Sequence, residues 1–234
     1  MAERHIVAIG GGTFASDPDN GRLEEYLLDL TGKERPRICF VPTAGGDDRA
    51  AVGRFYDFFA PRAEPTWLPL FDRRRSSPAE VLLAQDLIYV AGGNTANMLA
   101  VWRLHRVDAA LREAWERGIV LAGWSAGALC WFGGGVTDSF DPDLGPLNDG
   151  LAFLAGSFCP HYDTEARRRP VYRGLVGDAT LADGYAADDG AALHFVGDEL
   201  AEAVSSRPNA LAYRVARRTD GPAEETPLGT RYLG

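Results

Sequence analysis

The sequence predicts an α/β fold in which a mainly parallel sheet is covered by helices on both faces. Short, continuous apolar runs alternate with segments of helical periodicity through the first half of the chain. Such runs are typical of parallel strands that are buried on both faces. Glycine-rich turns also follow three of the apolar runs, as expected at the carboxyl ends of parallel strands, where ligands bind in this fold class.

The predicted elements of this sheet follow one another with short connections. The expected strands are residues 5–10, 37–42, 65–70, 86–91 and 119–122. The expected helices are residues 23–30, 49–59, 79–83, 96–102 and 107–115. The strand at 65–70 contains Pro65 and Pro69, which indicates a position near the edge of the sheet.

The pattern changes after Gly133. Only one clear helix is expected there, at residues 165–176. The strand-like segments of this part are residues 151–158, 184–187, 191–195 and 211–215. They predict an antiparallel or mixed extension of the same sheet.

The length of the chain allows a single domain. A chain of 234 residues can bury a large core in one unit, and we expect residues 1–217 to form it. Residues 218–234 contain Pro222, Pro227 and three glycines, which predicts a loose C-terminal tail.

The charge of the chain excludes two classes of partner. The formal net charge is −9, which argues against binding to nucleic acid or to an anionic membrane. The basic residues do not change this, because the densest cluster, Arg167–Arg169, is three residues long. A second run, Arg73–Arg75, falls in an apparent loop.

The cysteines and the apolar segments indicate a cytoplasmic protein. Cys39, Cys130 and Cys159 lie in apolar surroundings without a metal-binding or paired spacing, as buried reduced cysteines do. We find no signal peptide and no apolar run of membrane-spanning length. We expect a soluble monomer or homodimer.

The most informative motif is Gly123-Trp124-Ser125-Ala126-Gly127, which follows the apolar run at 119–122. It is a G-x-S-x-G pattern between a strand and a helix, where a strained turn exposes the serine hydroxyl. A Cβ at Gly123 or Gly127 would collide with the neighbouring strand or helix. The N–H of Ala126 would point toward an oxyanion that forms on a carbonyl attacked by Ser125. The alternative is a tight turn with an incidental serine.

Two further glycine turns are expected at the same edge of the sheet. In Gly92-Gly93-Asn94-Thr95, the Gly93 N–H could be a second oxyanion donor, with Asn94 bracing the loop. The alternative is a simple capped turn. The other turn, at residues 10–15, formally matches a dinucleotide-binding fingerprint. The second strand ends at Val41-Pro42-Thr43 with no acidic residue placed to bind a ribose hydroxyl, and we expect the glycine turn to form a wall of the cleft.

A serine nucleophile needs a base, and His161 is the best-placed histidine. It follows a strand-like segment and begins a loop, whereas His5 and His105 are expected at the surface and His194 within a strand. The acid that would orient His161 is left open by the spacing. The candidates are Asp138, Asp141, Asp163, Asp188 and Asp189. The pair before Gly190 is well placed, although such pairs are often only turn formers.

These motifs together resemble the peptidase E (aspartyl dipeptidase) and cyanophycinase family of serine peptidases. The matching segments are residues 91–95, Gly123–Gly127 (GWSAG), Pro160-His161 and Asp188-Asp189-Gly190, in that order. The resemblance implies a three-layer α/β/α fold, flavodoxin-like and similar to class I glutamine amidotransferases. It also implies hydrolysis of dipeptides with an N-terminal aspartate through an acyl-enzyme, without a metal or cofactor.

The resemblance also implies a role for individual residues. Ser125 matches the nucleophile, His161 the base, and Gly93 and Ala126 the oxyanion hole. The family's glutamate corresponds to Asp189, which is one methylene shorter, and Asp188 is the alternative.

Four residues are expected to contact the substrate: Asn94, Trp124, Arg168 and Arg169. The resemblance implies that an arginine holds the carboxylate of an acidic substrate, and Arg167, Arg168 or Arg169 could do so. The alternative is that this run on a helix surface is only solvated. Two other functions remain open. One is an esterase or acyltransferase acting on a non-peptide substrate, and the other is a non-catalytic protein that binds a carboxylated metabolite.

Overall fold

A computed structural model describes residues 3–17, 19–72, 76–219 and 222–234 of the chain. The predicted loop at Arg73–Arg75 lies outside these residues. In chain order, the strands are β1 (His5–Ile9), β2 (Arg37–Val41), β3 (Glu64–Trp67), β4 (Leu87–Val90), β5 (Val120–Trp124), β6 (Phe132–Thr137), β7 (Gly145–Leu147), β8 (Leu154–Cys159), β9 (Gly184–Ala187), β10 (Ala191–Val196), β11 (Glu199–Ser205), β12 (Ala212–Ala216), β13 (Glu224–Pro227) and β14 (Thr230–Tyr232).

The helices lie mostly between the strands of the first half. They are α1 (Arg22–Asp29), α2 (Arg49–Phe59), α3 (Pro78–Leu82), α4 (Thr95–His105), α5 (Val107–Glu116), α6 (Ala126–Leu129) and α7 (Arg168–Gly177). A short 3-10 turn, Thr43–Gly45, follows β2. The start of α2 is capped by Asp48, whose carboxylate accepts hydrogen bonds from the Ala50 and Ala51 N–H groups.

The strands form two sheets. The larger has the order β14-β11-β10-β1-β5-β4-β2-β3, and its strands from β1 to β3 are all parallel. The smaller has the order β13-β12-β9-β8-β6-β7 and mixes parallel with antiparallel pairs. The edge position expected for the proline-containing strand is confirmed, since β3 ends the larger sheet.

Helices cover both faces of the larger sheet, which confirms the predicted three-layer α/β/α fold with a mainly parallel sheet. On one face, Leu27 of α1 and Phe55 of α2 pack on alternate strand residues such as Phe40. On the other face, a larger core joins α3, α4, α5 and α6. Residues of the smaller sheet, such as Phe158, belong to the same core, so the two sheets are packed together.

The C-terminal part differs from the sequence expectation in two respects. The predicted strand at 191–195, β10, extends the larger sheet antiparallel to β1, as predicted. The strands β11 and β14, which the sequence did not predict, continue this sheet, and the other strands of this part build a second sheet. The segment 218–234, predicted to be a loose tail, contains β13 and β14, which pair with β12 and β11. These strands have no alternating apolar pattern in the sequence. They are held by backbone pairing at the edges of the sheets and by the burial of Ala223.

The environment of the cysteines agrees with the apolar surroundings that they have in the sequence. All three cysteines are free and buried, and burial raises the pKa of the Cys39 thiol to about 12. Among the described residues, no helix combines the length and the apolar character that crossing a bilayer requires.

A hydrogen-bonded pair of histidines, one buried and one half-buried, joins β1 to β10 at the end of the larger sheet remote from Ser125. His194 is only 5% exposed. Its Nε2 lies 3.0 Å from His5 Nδ1, and its Nδ1 lies 2.6 Å from the Tyr26 hydroxyl. Tyr26 donates its proton to Glu202 at 2.8 Å, so its oxygen accepts from His194. His5, expected at the surface, is therefore a hydrogen-bonded partner of a core histidine.

We expect this pair to make the protein sensitive to acid. Burial, and secondarily the charge of His5, lowers the pKa of His194 to about 4. In the unfolded chain the pKa of a histidine is about 6.5. Between these two pKa values the unfolded state binds a proton on His194 and the folded state does not. Stability should fall by roughly 3 kcal/mol as the pH drops from about 6.5 to about 4. Urea unfolding at several pH values would measure this.

The matched variant for this prediction is His194→Gln, which keeps a hydrogen-bond donor and an acceptor but does not titrate. Carboxylates such as Glu202, whose pKa is lowered in the folded state, also destabilise the fold in acid and remain in both proteins. The variant should therefore lose less stability than the wild type over this range. Equal losses in the two proteins would show that His194 is not responsible.

Candidate active site

Ser125 lies on a strained turn between β5 and α6. Its backbone has φ 55° and ψ −117°, a region that non-glycine residues rarely adopt. The turn is held to the neighbouring strand because the Ser125 N–H donates to the Ile9 carbonyl at 3.1 Å. The serine side chain is left partly exposed at the carboxyl end of the parallel sheet.

Close backbone packing explains the two glycines of this turn, as the sequence predicts. A Cβ on Gly123 would lie 2.3 Å from the Gly127 carbonyl oxygen, and one on Gly127 would lie 2.4 Å from the Val90 carbonyl oxygen. Both contacts would be with backbone carbonyl oxygens, which cannot move away as the end of a flexible side chain can. Ser125 can therefore keep its position only with glycine on either side.

The turn after β4 lies beside Ser125. A Cβ built on Gly92 would come within 3.1 Å of Ser125 Cβ. Gly93 has φ 140° and would place a Cβ 2.3 Å from the Ala44 carbonyl oxygen, so only glycine fits there. No backbone or side-chain acceptor in the described part of the chain takes a hydrogen bond from the N–H groups of Gly93 and Ala126.

Both polar atoms of the Asn94 side chain are hydrogen-bonded within the protein and stabilise this turn. Its Oδ1 accepts from the Asn97 N–H at 2.8 Å, and its Nδ2 donates to the Ser139 carbonyl at 3.0 Å. Ser139 Oγ also accepts from the Thr95 N–H at 2.9 Å. The bracing role expected for Asn94 therefore matches its contacts, whereas its expected contact with substrate has no support in them.

His161 reaches the same edge from the smaller sheet, directly after β8. Its N–H donates to the Gly10 carbonyl at 3.3 Å. Ser125 is bonded to Ile9, so the backbones of the serine and the histidine are attached to consecutive residues at the end of β1. The His161 ring is 21% exposed, and its Nδ1 lies 2.6 Å from Asp189 Oδ1. The bond to Asp189 occupies Nδ1 and leaves Nε2 for another partner.

The structure distinguishes the two aspartates that the sequence leaves open. Asp189 pairs with His161, and its Oδ2 accepts from the Thr164 hydroxyl at 3.2 Å. Burial acts to raise the pKa of Asp189. The hydrogen bond and charge of His161, together with Thr164, outweigh it and leave this pKa lowered. The carboxylate is therefore ionised at neutral pH.

Asp188 faces the other way. Its Oδ2 accepts from the Leu211 N–H at 3.0 Å and from the Tyr213 hydroxyl at 3.4 Å. Its Oδ1 is buried and has no partner among the described residues, and burial raises the pKa of this carboxyl. Asp188 therefore belongs to the packing of β12, away from His161.

The glycine turn after β1 passes directly beneath the pair formed by His161 and Asp189. A Cβ on Gly11 would lie 2.1 Å from Asp189 Oδ1 and 2.5 Å from His161 Cε1. Gly11 also forms a parallel bridge with Asp189. Helix α1 begins only at Arg22, so the turn does not open a helix as a dinucleotide site would. It lies against the side chains of His161 and Asp189, and its role as a wall of the cleft stays a prediction.

Trp124 contributes to the core on the other face of the sheet. Its ring stacks on Phe40 at a centroid distance of 5.9 Å and meets Tyr89 edge-on at 5.1 Å. Its indole Nε1 would be 2.8 Å from a Cβ on Gly92. The side chain therefore packs under the turn that carries Gly92, and its expected contact with substrate stays a prediction.

The two arginines expected to bind a substrate carboxylate are already paired within the protein, and this expectation is not supported. Arg168 is 4% exposed and donates to Glu165 at 2.7 Å and to the Val136 carbonyl at 3.0 Å. Arg169 holds Glu225 through two guanidinium nitrogens, Nε at 2.9 Å and Nη2 at 2.6 Å. Its guanidinium also lies over two tyrosine rings.

Three residues near the site were not singled out by the sequence for these positions. Gly11 lies under the pair, Thr164 bonds to the Asp189 carboxylate, and Asp163, considered only as the acid, accepts from the Asp189 N–H at 2.8 Å. The available signal was their closeness to His161 and to the first glycine turn. Nothing in a single sequence says that these two segments meet.

Comparisons with known proteins match most of the chain. The model of peptidase family S51 matches residues 6–203. A Bacillus subtilis (strain 168) protein named "Uncharacterized peptidase YgaJ" is 49% identical over 234 residues, which cover 99% of this chain and 100% of that protein. A "Peptidase E" of Pasteurella multocida (strain Pm70) is 29% identical over 191 residues, 76% of this chain and 77% of that protein.

A solved structure shares the fold. The crystal structure of a peptidase from an acI-B1 Actinobacterium superposes with a TM-score of 0.70 at 17% sequence identity. The superposition covers 97% of this chain and 95% of that chain. At this identity the likeness concerns the fold alone.

Proposed function

This chain belongs to peptidase family S51 and is a peptidase E-like, serine-type peptidase, and from this we propose that it hydrolyses short peptides through an acyl-enzyme on Ser125. The observation that carries the proposal is the hydrogen-bonded pair of His161 and Asp189, 2.6 Å apart. The pair is anchored beside the strained turn of Ser125 at the end of β1. A serine, an imidazole and an ionised carboxylate form the catalytic triad of this proposal.

The proposed reaction begins with attack of Ser125 Oγ on the peptide carbonyl carbon, while His161 Nε2 takes the hydroxyl proton. The Gly93 and Ala126 N–H groups donate to the resulting oxyanion. His161 then gives its proton to the departing amine as the C–N bond breaks. Water attacks the acyl-enzyme with the same base and releases the acid product and Ser125.

Asp189 holds the imidazole in the tautomer that carries its proton on Nδ1. Its lowered pKa keeps it negative, so it stabilises the imidazolium that forms at each proton transfer. Among the described residues no protein acceptor takes the N–H groups of Gly93 and Ala126, which supports their role as oxyanion donors.

The proposed substrates are dipeptides with an N-terminal aspartate. The similarity to the protein named "Peptidase E" supports this choice, together with the resemblance of the motifs. The proposal does not assign this recognition to Arg168 or Arg169. The Arg168 guanidinium is buried and donates to Glu165, and that of Arg169 is held by Glu225, although 41% of the side chain is exposed.

A combined labelling and substrate experiment tests the proposal. A fluorophosphonate probe should label Ser125, because labelling requires both the base and the oxyanion donors. In a panel of dipeptides that differ in the first residue, Asp-Ala should be cleaved faster than its neutral isostere Asn-Ala, by about tenfold or more. Short acyl esters form the third arm of the panel.

Each other outcome favours a different function. Turnover of esters without turnover of any dipeptide would indicate an esterase or acyltransferase. Absence of both labelling and turnover would leave a binding protein. Equal rates on Asp-Ala and Asn-Ala would retain the peptidase but remove the proposed acidic specificity.

A further inference from the structure

The loop that provides His161 also holds Asp189 from two further directions. Thr164 Oγ1 donates to Asp189 Oδ2 at 3.2 Å, and the Asp189 N–H donates to Asp163 Oδ1 at 2.8 Å. With His161 on Oδ1 at 2.6 Å, both carboxylate oxygens and the backbone N–H of this aspartate are bound by one four-residue segment.

These contacts are not explained by the local fold of the loop. An aspartate that only stabilised its own turn would accept from an N–H one or two residues later. Here the Glu165 N–H donates to the His161 carbonyl instead. Asp163 and Thr164 are both exposed, and in the described chain each side chain makes its hydrogen bond to Asp189 alone.

The carboxylate needs such support. Asp189 lies in a short loop between β9 and β10, and its side chain is 18% exposed. A carboxylate with one hydrogen bond can rotate about the bond to its Cβ, because this torsion is broad and shallow. A second donor on the other oxygen fixes the plane of the group and hence the direction in which it holds the imidazole.

We propose that Thr164 and Asp163 are positioning residues that fix the side chain and the backbone of Asp189 for its bond to His161. This inference rests on the proposed function of Ser125, His161 and Asp189. Thr164 acts on the orientation of the carboxylate, and Asp163 acts on the position of its backbone. Neither residue contacts the substrate.

The test compares Thr164→Val, which removes the hydroxyl at equal size, with Thr164→Ser, which keeps it. The valine variant should lower kcat by about tenfold with KM unchanged, since a lost hydrogen bond to a charged group has an effect of this order. The serine variant should recover most of the rate. The matched control is Thr180→Val in an exposed turn after α7, where the threonine side chain makes no hydrogen bond to Asp189.

A double-mutant cycle excludes a merely structural role. Thr164→Val should slow the labelling of Ser125 by about tenfold in the wild-type background. In an Asp189→Ala background it should have no further effect on this rate, because its target carboxylate is gone. Asp163→Ala should likewise lower kcat, whereas Asp163→Asn, which keeps the acceptor oxygen, should retain most of the activity.

Three results would overturn the inference: wild-type kcat in Thr164→Val, no recovery in Thr164→Ser, or the same tenfold loss in the Asp189→Ala background. Failure of the proposed function is distinguishable, because the wild-type protein itself would then neither react with the probe nor cleave peptides. A folded, active wild type with an indifferent Thr164 rejects the positioning role alone.

Discussion

Replacing Ser125 with alanine is expected to lower kcat on the best peptide by about a millionfold, the loss seen when a triad nucleophile is removed. The oxyanion donors are backbone groups of Gly93 and Ala126, so the variant keeps them. What disappears is the covalent route, and the residual rate then depends on water attacking a bound carbonyl. Stopped or discontinuous assays with product detection would measure the ratio.

The fold of this variant should remain intact, because no hydrogen bond of the Ser125 side chain to another described residue holds the turn. The bond to Ile9 uses the backbone N–H, which alanine keeps. Thermal unfolding of both proteins is the control. Near wild-type turnover in a folded Ser125→Ala protein would remove Ser125 from the mechanism and with it the proposed function.

The parallel part of the fold could be predicted from the sequence because burial on both faces leaves a plain signal. Strands such as β2 (Arg37–Val41) and β4 (Leu87–Val90) are almost entirely buried. They therefore appear in the sequence as continuous apolar runs. The glycine-rich turns after β1, β4 and β5 locate the edge of the sheet that carries the site.

The smaller sheet could not be predicted in the same way. The strand β6 (Phe132–Thr137) contains three consecutive glycines, which have low strand propensity and no side-chain pattern. The segments β13 and β14 are mostly polar at sheet edges. Their strand structure depends on backbone pairing with residues distant in sequence, and no local pattern records that pairing.

The site shows the same division between local and distant information. Ser125 and His161 could be selected because each follows a strand and begins a turn. The spacing of residues could not choose between Asp188 and Asp189, since neighbouring loop residues can point to opposite sides, and only the resemblance to the family favoured Asp189. The paired state of Arg169 was equally hidden, because its partner Glu225 lies 56 residues away in the segment expected to be a loose tail.

The second large effect is expected from Gly11→Ala, which should lower kcat by about a thousandfold to ten-thousandfold, as when a triad acid no longer orients its histidine. The new Cβ would lie 2.1 Å from Asp189 Oδ1 and 2.6 Å from His161 Nδ1. Because the obstacles are the ends of two side chains, they can move aside and the fold survives. When the two side chains move aside, the hydrogen bond between His161 Nδ1 and Asp189 Oδ1 is lost.

The overpacking should cost about 1–3 kcal/mol of stability, which a melting curve would record beside the rate. Gly53→Ala is the matched control, since no atom lies within 4 Å of a Cβ there and the residue is inside α2. That variant should be more stable by roughly 0.5–1 kcal/mol at unchanged kcat. If Gly11→Ala kept its activity while folded, the contact between His161 and Asp189 would not be needed for turnover. The triad would then reduce to Ser125 and a base oriented by other means.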